Sequence, residues 1–291
     1  MNILVTGACG QLGTELRNLS AGSPDNYVFT DIVQNLAEGV CALDITNAAA
    51  VEEFVSKTRP EVIVNCAAYT NVDKAEDDFQ GADLINRAAV GNLARCAADT
   101  GAVLIHISTD YVFGGDARTP YKEDDAKNPL GVYGRTKLAG EAEIEAFGCK
   151  AIVIRTAWLY SPYGKNFVKT MLSLMSSRDS VGVVADQTGS PTYAVDLAAV
   201  IVKIINGRML SRTGVYHYSD QGVVSWFDFA REIARLSGSS CKVLPLRSSE
   251  FPSKVARPHY SVLDKSRITE TFGVEVPYWK DSLAQCINRL K

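Results

Sequence analysis

Several short runs of this chain, among them ILV at 3–5, VIVN at 62–65 and VLIHIS at 103–108, are apolar almost without interruption. A strand with one face in water alternates polar and apolar residues. A run without that alternation is buried on both faces, as in a parallel sheet covered by helices on either side. The pattern predicts strands over Asn2–Thr6, Tyr27–Asp31, Val62–Cys66, Val103–Ser108 and Ala151–Thr156. Helical periodicity falls between them, over Gln11–Ser20, Ala48–Lys57, Ala82–Thr100 and Tyr133–Ala146. Strands alternating with helices in this order predict an α/β fold, a Rossmann-like doubly wound parallel sheet with right-handed crossovers. After Thr156, Gly, Pro and aromatic residues break the rhythm, and a smaller C-terminal α/β lobe is expected. The expected division is residues 1–157 for a dinucleotide and 158–190 with 226–291 for a substrate. A segment at about 191–225, with a helix over Asp196–Asn206 and a strand near Val215–Ser219, is expected to return to the first domain.

With 46% hydrophobic and 22% charged residues in 291, the chain has material for a sizeable core, which excludes a disordered class. The net charge of -3 argues against electrostatic capture of nucleic acid or an anionic membrane. No apolar stretch approaches the roughly 18 residues of a membrane span. The opening MNILVTGACGQLG lacks a basic region before its apolar run and reads as strand and loop rather than signal peptide. Seven scattered cysteines without a C-x-x-C pair read as free thiols in a reducing cytoplasm. The three histidines lie far apart, and no His/Cys spacing suggests zinc.

The run Gly7-Ala8-Cys9-Gly10-Gln11-Leu12-Gly13 follows the first strand and opens the first helix. Glycines let backbone turn tightly and approach a pyrophosphate, while a helix N-terminus offers unpaired N–H groups. The spacing G-x-x-G-x-x-G can equally reflect a strand-to-helix turn that needs glycine for sterics alone. Asp31 ends the second strand, 18 residues beyond Gly13, near the position from which an acidic side chain binds an adenosine ribose. A carboxylate there accepts from both ribose hydroxyls and repels a 2′-phosphate, which favours NADH over NADPH. Asp44 can receive an adenine amino group or cap the next helix. The small residues after Asn65 suit a dinucleotide crossing the sheet edge, or plain packing.

Tyr133-Gly134-Arg135-Thr136-Lys137 places a phenol and an ammonium four residues apart, on one helical face. A nearby cation favours tyrosinate, so the phenol's pKa is expected to fall from about 10. In the reducing direction such a phenol donates a proton to the alkoxide formed as hydride arrives. The alternative is an aromatic ring packed against a lysine stem. Ser108-Thr109-Asp110 ends the strand VLIHIS, so its side chains are expected at the same sheet edge. Thr109 can hydrogen-bond a carbonyl oxygen beside Tyr133, and Asp110 a sugar hydroxyl. Their alternative role is to cap a turn.

These residues, with VDKAE at 72–76, STDYVFGG at 108–115, RTAWLY at 155–160, DQTGSPT at 186–192 and RPHYSVLD at 257–264, resemble the extended short-chain dehydrogenase/reductase family along nearly the whole chain. The resemblance implies a catalytic set of Thr109, Tyr133 and Lys137, with Tyr133 as proton donor. It assigns cofactor contacts to Gly10, Gln11, Leu12, Asp31, Asp44, Ala67, Ala68 and Tyr69, to which the glycine loop adds Gly7 and Gly13 and the catalytic helix Tyr133 and Lys137. It assigns substrate contacts to Thr109, Asp110, Trp158 and Arg257, with core packing and a structural ion pair as the alternatives for the last two. It implies NADH or NADPH as cofactor and a nucleotide sugar as substrate. The activity implied is reduction of the 4-keto group of dTDP-4-dehydro-L-rhamnose to dTDP-L-rhamnose, the last step in making that sugar for surface polysaccharide. Another nucleotide-linked 4-ketosugar is the near alternative. A non-catalytic regulatory subunit like that of methionine adenosyltransferase is the distant one.

Three departures bear on that resemblance. Family dehydratases carry Asp-Glu after the catalytic Thr, whereas Asp110 is followed by Tyr111. Tyr260 stands where members often have Asn. Some members form homodimers through glutamates around Mg2+. Here Glu15 is present but Val195 stands where the second is expected, so the sequence does not support a metal.

Overall fold

A computed structural model describes residues 1–251 and 253–291. Strand β1 (Asn2–Thr6) leads through the glycine loop into helix α1 (Gln11–Ser20), then β2 (Asn26–Asp31), β3 (Val40–Ala42), α2 (Ala48–Thr58) and β4 (Val62–Asn65). Two short helices, α3 (Val72–Ala75) and α4 (Phe79–Asp83), precede α5 (Ala89–Thr100), β5 (Val103–Thr109), α6 (Val132–Phe147) and β6 (Ala151–Thr156). The chain continues through β7 (Leu159–Tyr160), α7 (Phe167–Met175), β8 (Ser180–Val184), β9 (Thr188–Gly189), β10 (Thr192–Tyr193), α8 (Ala194–Asn206) and β11 (Gly214–Tyr218). It closes with β12 (Val224–Ser225), α9 (Trp226–Ser237), β13 (Lys242–Leu246), α10 (Ser266–Phe272) and α11 (Trp279–Leu290).

Seven strands form one parallel sheet in the order β11-β6-β5-β4-β1-β2-β3. The continuous apolar runs divide by period two. Ile3 and Val5, Val62 and Val64, Ile152 and Ile154 enter a core with Leu12 and Leu16 of α1, Leu197 and Ile201 of α8, and Phe272 of α10. Leu4, Ile63 and Val153 point the other way, against Val51 of α2, Leu93 of α5 and Ile144 of α6. Successive side chains on a strand face opposite sides, so both faces need apolar residues, as the unbroken runs predict. A third core joins α7, α9 and α11 to β8, which pairs in parallel with β13.

Two local features differ from expectation. Val40–Ala42 is a parallel edge strand beside β2 that three residues cannot announce by periodicity. The helix expected over Ala82–Thr100 is interrupted by a π-helical segment at Leu84–Ala88. The wider turn carries the buried Asn86. Its amide accepts from Tyr69 N at 2.9 Å, and donates to Tyr69 O at 3.1 Å and to Thr136 Oγ1 at 3.2 Å. Asn86 thereby ties the loop after β4 to α6.

Helix α6 comes very close to this segment at Gly140. A Cβ built there would lie 2.2 Å from the Asn86 carbonyl oxygen. Ala gains up to about 1 kcal/mol over Gly inside a helix, whereas forcing a methyl into packed backbone costs about 1–3 kcal/mol. Sterics therefore outweigh propensity. Gly140→Ala is expected to lose stability in chemical denaturation, and a stabilised variant would contradict this packing.

Candidate active site

A doubly wound sheet opens a crevice where strand order reverses, outside the carboxyl ends of the strands. Here that point lies between β1 and β4. A cleft of about 830 Å³ occupies it, lined by Gly7, Gly10, Gln11 and Leu12 of the glycine loop and by Trp158, Trp226 and Arg257. Asp31, Asp44, Ala67, Ala68, Thr109, Asp110, Tyr133 and Lys137 also line it. Gly13 and Tyr69 do not. A Cβ on Gly13 would lie 2.3 Å from Gly7 O, so this glycine serves the strand-to-helix contact. Tyr69 turns its hydroxyl to Asp78 at 3.0 Å.

The glycine loop suits a pyrophosphate. Gly7 has φ +68, and a Cβ there would lie 2.5 Å from Ala67 N. Gly10, the residue before α1, has no side chain to cap it, so the first-turn N–H groups of Gln11 and Leu12, which line the cleft, lack a side-chain partner. Asp31 accepts from Cys9 N at 2.9 Å through one oxygen and from Ile32 N at 2.8 Å through the other. Its carboxylate is thus pinned at the end of β2, with lone pairs to spare. Asp44 accepts from Thr46 N and Thr46 Oγ1 at 2.9 and 2.7 Å. It does not cap the next helix. Asn47 does, accepting from Ala50 N.

Thr109 is the last residue of β5. Its Oγ1 accepts from Tyr111 N at 3.2 Å and donates to Asp110 Oδ1 at 3.0 Å. Tyr133 and Lys137 rise from the first turns of α6, where Val132 N donates to Glu76 Oε1 at 2.6 Å and fixes the helix start. Tyr111 meets the Tyr133 ring edge-on at 5.6 Å. Lys137 is buried and donates to Ile107 O at 2.6 Å. One turn further, Glu141 accepts from Ser108 Oγ at 2.5 Å and from Arg155 Nε and Nη2 at 2.9 and 2.6 Å.

The tyrosine's titration departs from expectation. Burial pushes the Tyr133 phenol up to about 12, against the pull of the Thr109 hydroxyl. Desolvation outweighs any help from Lys137, which burial itself brings down to about 8, opposed by Glu141. Tyr133 is therefore a protonated phenol at neutral pH, the form a proton donor needs.

Trp158 has φ +48, a backbone state costly for a bulky residue. Its indole stacks on Trp226 with centroids 3.5 Å apart and planes 9° apart. The pair forms a flat apolar wall. Trp226 and Tyr111 escaped the sequence reading; nothing local in the chain pairs Trp226 with a residue 68 positions earlier. Arg257 donates to Asp73 Oδ2 at 3.0 Å, and its Nε finds no partner among the described residues. Glu15 is buried and held by Arg289 at 2.8 Å, and among the described residues no cluster of three or more metal-ligating side chains occurs. All seven cysteines are free, and no described helix is long and apolar enough to cross a membrane.

A glycine loop under a parallel sheet's carboxyl edge, with Thr, Tyr and Lys meeting at the same cleft, defines a short-chain dehydrogenase/reductase of the extended type. Residues 1–291 match the family described as RmlD substrate binding domain, and the chain belongs to it. A dTDP-4-dehydrorhamnose reductase of Aggregatibacter actinomycetemcomitans is 39% identical over 290 residues, covering 97% of this chain and 96% of the relative. A crystal structure of a dTDP-4-dehydrorhamnose reductase from Clostridium acetobutylicum superposes with a TM-score of 0.92 at 43% identity, covering 100% of this chain and 99% of the other. That of the Bacillus anthracis dTDP-4-dehydrorhamnose reductase in complex with NADP has a TM-score of 0.88 at 38% identity, with 99% of each chain covered.

Asp110 yields a stability test. Its carboxyl is buried, Oδ2 has no partner among the described residues, and burial pushes it up to about 6 against the Ser261 and Thr109 hydroxyls. The folded value lies above the unfolded one, so the native state holds the proton more tightly. Stability falls as pH rises from about 4 to about 6, and the full penalty persists above that window. Asp110→Asn removes the buried charge. It is expected to stabilise the protein by roughly 1–3 kcal/mol at pH 7 and to have little effect at pH 4. Denaturant unfolding at both pH values checks this; equal stabilisation at both would contradict it.

Proposed function

We propose that this protein reduces the 4-keto group of dTDP-4-dehydro-L-rhamnose to dTDP-L-rhamnose with NADH or NADPH. The observation that carries the reading is that Thr109, Tyr133 and Lys137 line the same cleft as the glycine loop. The names and full-length similarity of the relatives support the sugar nucleotide, and the NADP complex of a relative supports the cofactor. A binding-only subunit has no need to gather these three side chains at one cleft. Free thiols are in keeping with a cytoplasmic location.

In this reading residues 1–157 with 191–225 hold the dinucleotide, and 158–190 with 226–291 hold the sugar nucleotide. The N–H groups of Gln11 and Leu12 take the pyrophosphate, and Gly10 keeps its N–H on Gly7 O and leaves room for it. Asp31 takes the ribose hydroxyls, Asp44 the adenine, and Ala67 and Ala68 leave room at the sheet edge. The reduced dinucleotide, when bound, supplies the hydride. Thr109 turns its hydroxyl from Asp110 to the keto oxygen, and Tyr133 gives its proton to that oxygen as charge develops. Lys137, charged below about pH 8, steadies the phenolate left behind. The Trp158–Trp226 wall receives the apolar face of a deoxysugar, and Arg257 the diphosphate.

The test is oxidation of reduced cofactor against a panel of nucleotide 4-ketosugars. Turnover with dTDP-4-dehydro-L-rhamnose is expected to decline as pH rises through about 8, where Lys137 loses its charge. Tyr133→Phe keeps the ring and removes the donor, so turnover is expected to fall about 10²–10⁴-fold while cofactor still binds. Thr109→Val should slow turnover too, without multiplying that loss, since both groups act on one oxygen. A Tyr133→Phe protein working at the wild-type rate would sink the mechanism.

A further inference from the structure

Behind Lys137 lies a buried imidazole that the mechanism above does not use. His106 sits within β5, fully buried, with Nδ1 3.1 Å from Asn65 Nδ2 and Nε2 3.4 Å from Lys137 Nζ. Which ring nitrogen carries the hydrogen follows from the groups around Asn65. The backbone N–H of Ala67 can only donate, and it meets Asn65 Oδ1 at 3.1 Å. The Thr6 hydroxyl lies 2.8 Å from the same oxygen. Asn65 therefore turns its NH₂ toward His106. That amide donates, so Nδ1 accepts, and the hydrogen of the neutral ring rests on Nε2. Burial and the Lys137 charge both hold the imidazole well below its ordinary range, so the neutral ring is the resident form.

The Nε2–H is thus aimed at the lysine nitrogen. Facing an ammonium, it sets two donors against each other. Facing a neutral amine, it completes a donor–acceptor pair. We propose that His106 is a positioning residue for Lys137, locked by Asn65 as the Nε2–H tautomer so that its N–H favours the neutral amine and sets the pH at which the lysine becomes charged. The catalytic consequence rests on the reading of Lys137 as the partner of Tyr133; the tautomer does not. The other titratable groups on the face of α6 around Lys137 are Tyr133, one turn before, and Glu141, one turn after. Glu141 favours the ammonium, but it is shared with Arg155 and Ser108. From the strands packed beneath α6, the titratable group facing Lys137 is His106.

The tautomer is read directly by ¹⁵N NMR of the histidine-labelled full chain, with the His106 signals assigned by their loss in His106→Phe. A protonated Nε2 beside an unprotonated Nδ1 is expected, and the reverse pattern overturns the proposal. Asn65→Asp keeps an acceptor for Ala67 and Thr6 but replaces the amide donor with a carboxylate oxygen. The ring hydrogen should then move to Nδ1, leaving Nε2 to accept from the ammonium. The Lys137 titration, followed by NMR of labelled lysine, should rise by about one pH unit or more, and the basic limb of kcat/KM should rise with it. In the His106→Phe background the same Asn65→Asp change should raise the titration clearly less, since only the through-space pull of the carboxylate remains. An equal rise with and without the ring means that the carboxylate acts through space, and overturns the proposal. Should Asn65→Asp fail to fold, the wild-type tautomer still tests the proposal, since an Nε2 without its hydrogen overturns it. Because the NMR signals need no turnover, a protein inactive on every 4-ketosugar would fail the functional reading and leave this test intact.

Discussion

Helices cover both faces of the seven-stranded sheet, so a polar side chain within it must find a partner or wait for the strand's end. That constraint arranges the rest of the molecule. Thr6, Asn65, Thr109 and Thr156 all stand at carboxyl ends of strands, where the cores on either face give way to the cleft. Two large polar groups placed earlier in the strands are engaged, whereas the Tyr27 hydroxyl in β2 is buried without a partner among the described residues. His106 meets Asn65 and Lys137, and Arg155 meets Glu141 and the Glu123 carbonyl. An unpartnered polar group at such a depth costs several times what one hydrogen bond returns.

The helix bearing Tyr133 and Lys137 is held at three levels. Glu76 accepts from its first turn, Asn86 grips Thr136, and the buried Glu141–Arg155 pair fixes the middle. Replacing a buried ion pair with apolar residues is often neutral or stabilising, so its value here lies in geometry rather than net stability. The same carboxylate accepts from Ser108, the residue before Thr109. One side chain therefore couples the end of β5 to the helix that carries the proton donor. Gly140 and the π-helical turn at Asn86 permit the close approach that makes this coupling short-ranged.

Burial on both faces is also why so much of the fold was legible in the residues. Unbroken apolar runs marked the inner strands, and Asp31 and Thr109 could be set at strand ends by counting. The four-residue spacing of Tyr133 and Lys137 placed them on one helical face without any knowledge of the sheet. What escaped depends on tertiary approach. Val40–Ala42 becomes a strand only because β2 lies beside it, and the π turn forms where Asn86 reaches across to Tyr69. The Trp158–Trp226 wall joins two segments with no local relation. The direction of the Tyr133 shift was misjudged because charge spacing gives the sign of an ion's influence, whereas burial, which outweighs it here, is a property of the folded site.

In the proposed reaction the cleft brings a reduced dinucleotide and the keto carbon of a sugar nucleotide face to face beside Tyr133. Isotope transfer tests that contact most directly. With cofactor carrying deuterium at both positions of carbon 4 of its reduced nicotinamide and dTDP-4-dehydro-L-rhamnose in ordinary water, NMR of the sugar should find one deuterium at carbon 4, with the oxygen there carrying a proton from solvent exchange. Reduced product without deuterium at that carbon, or with deuterium at a different one, would contradict it.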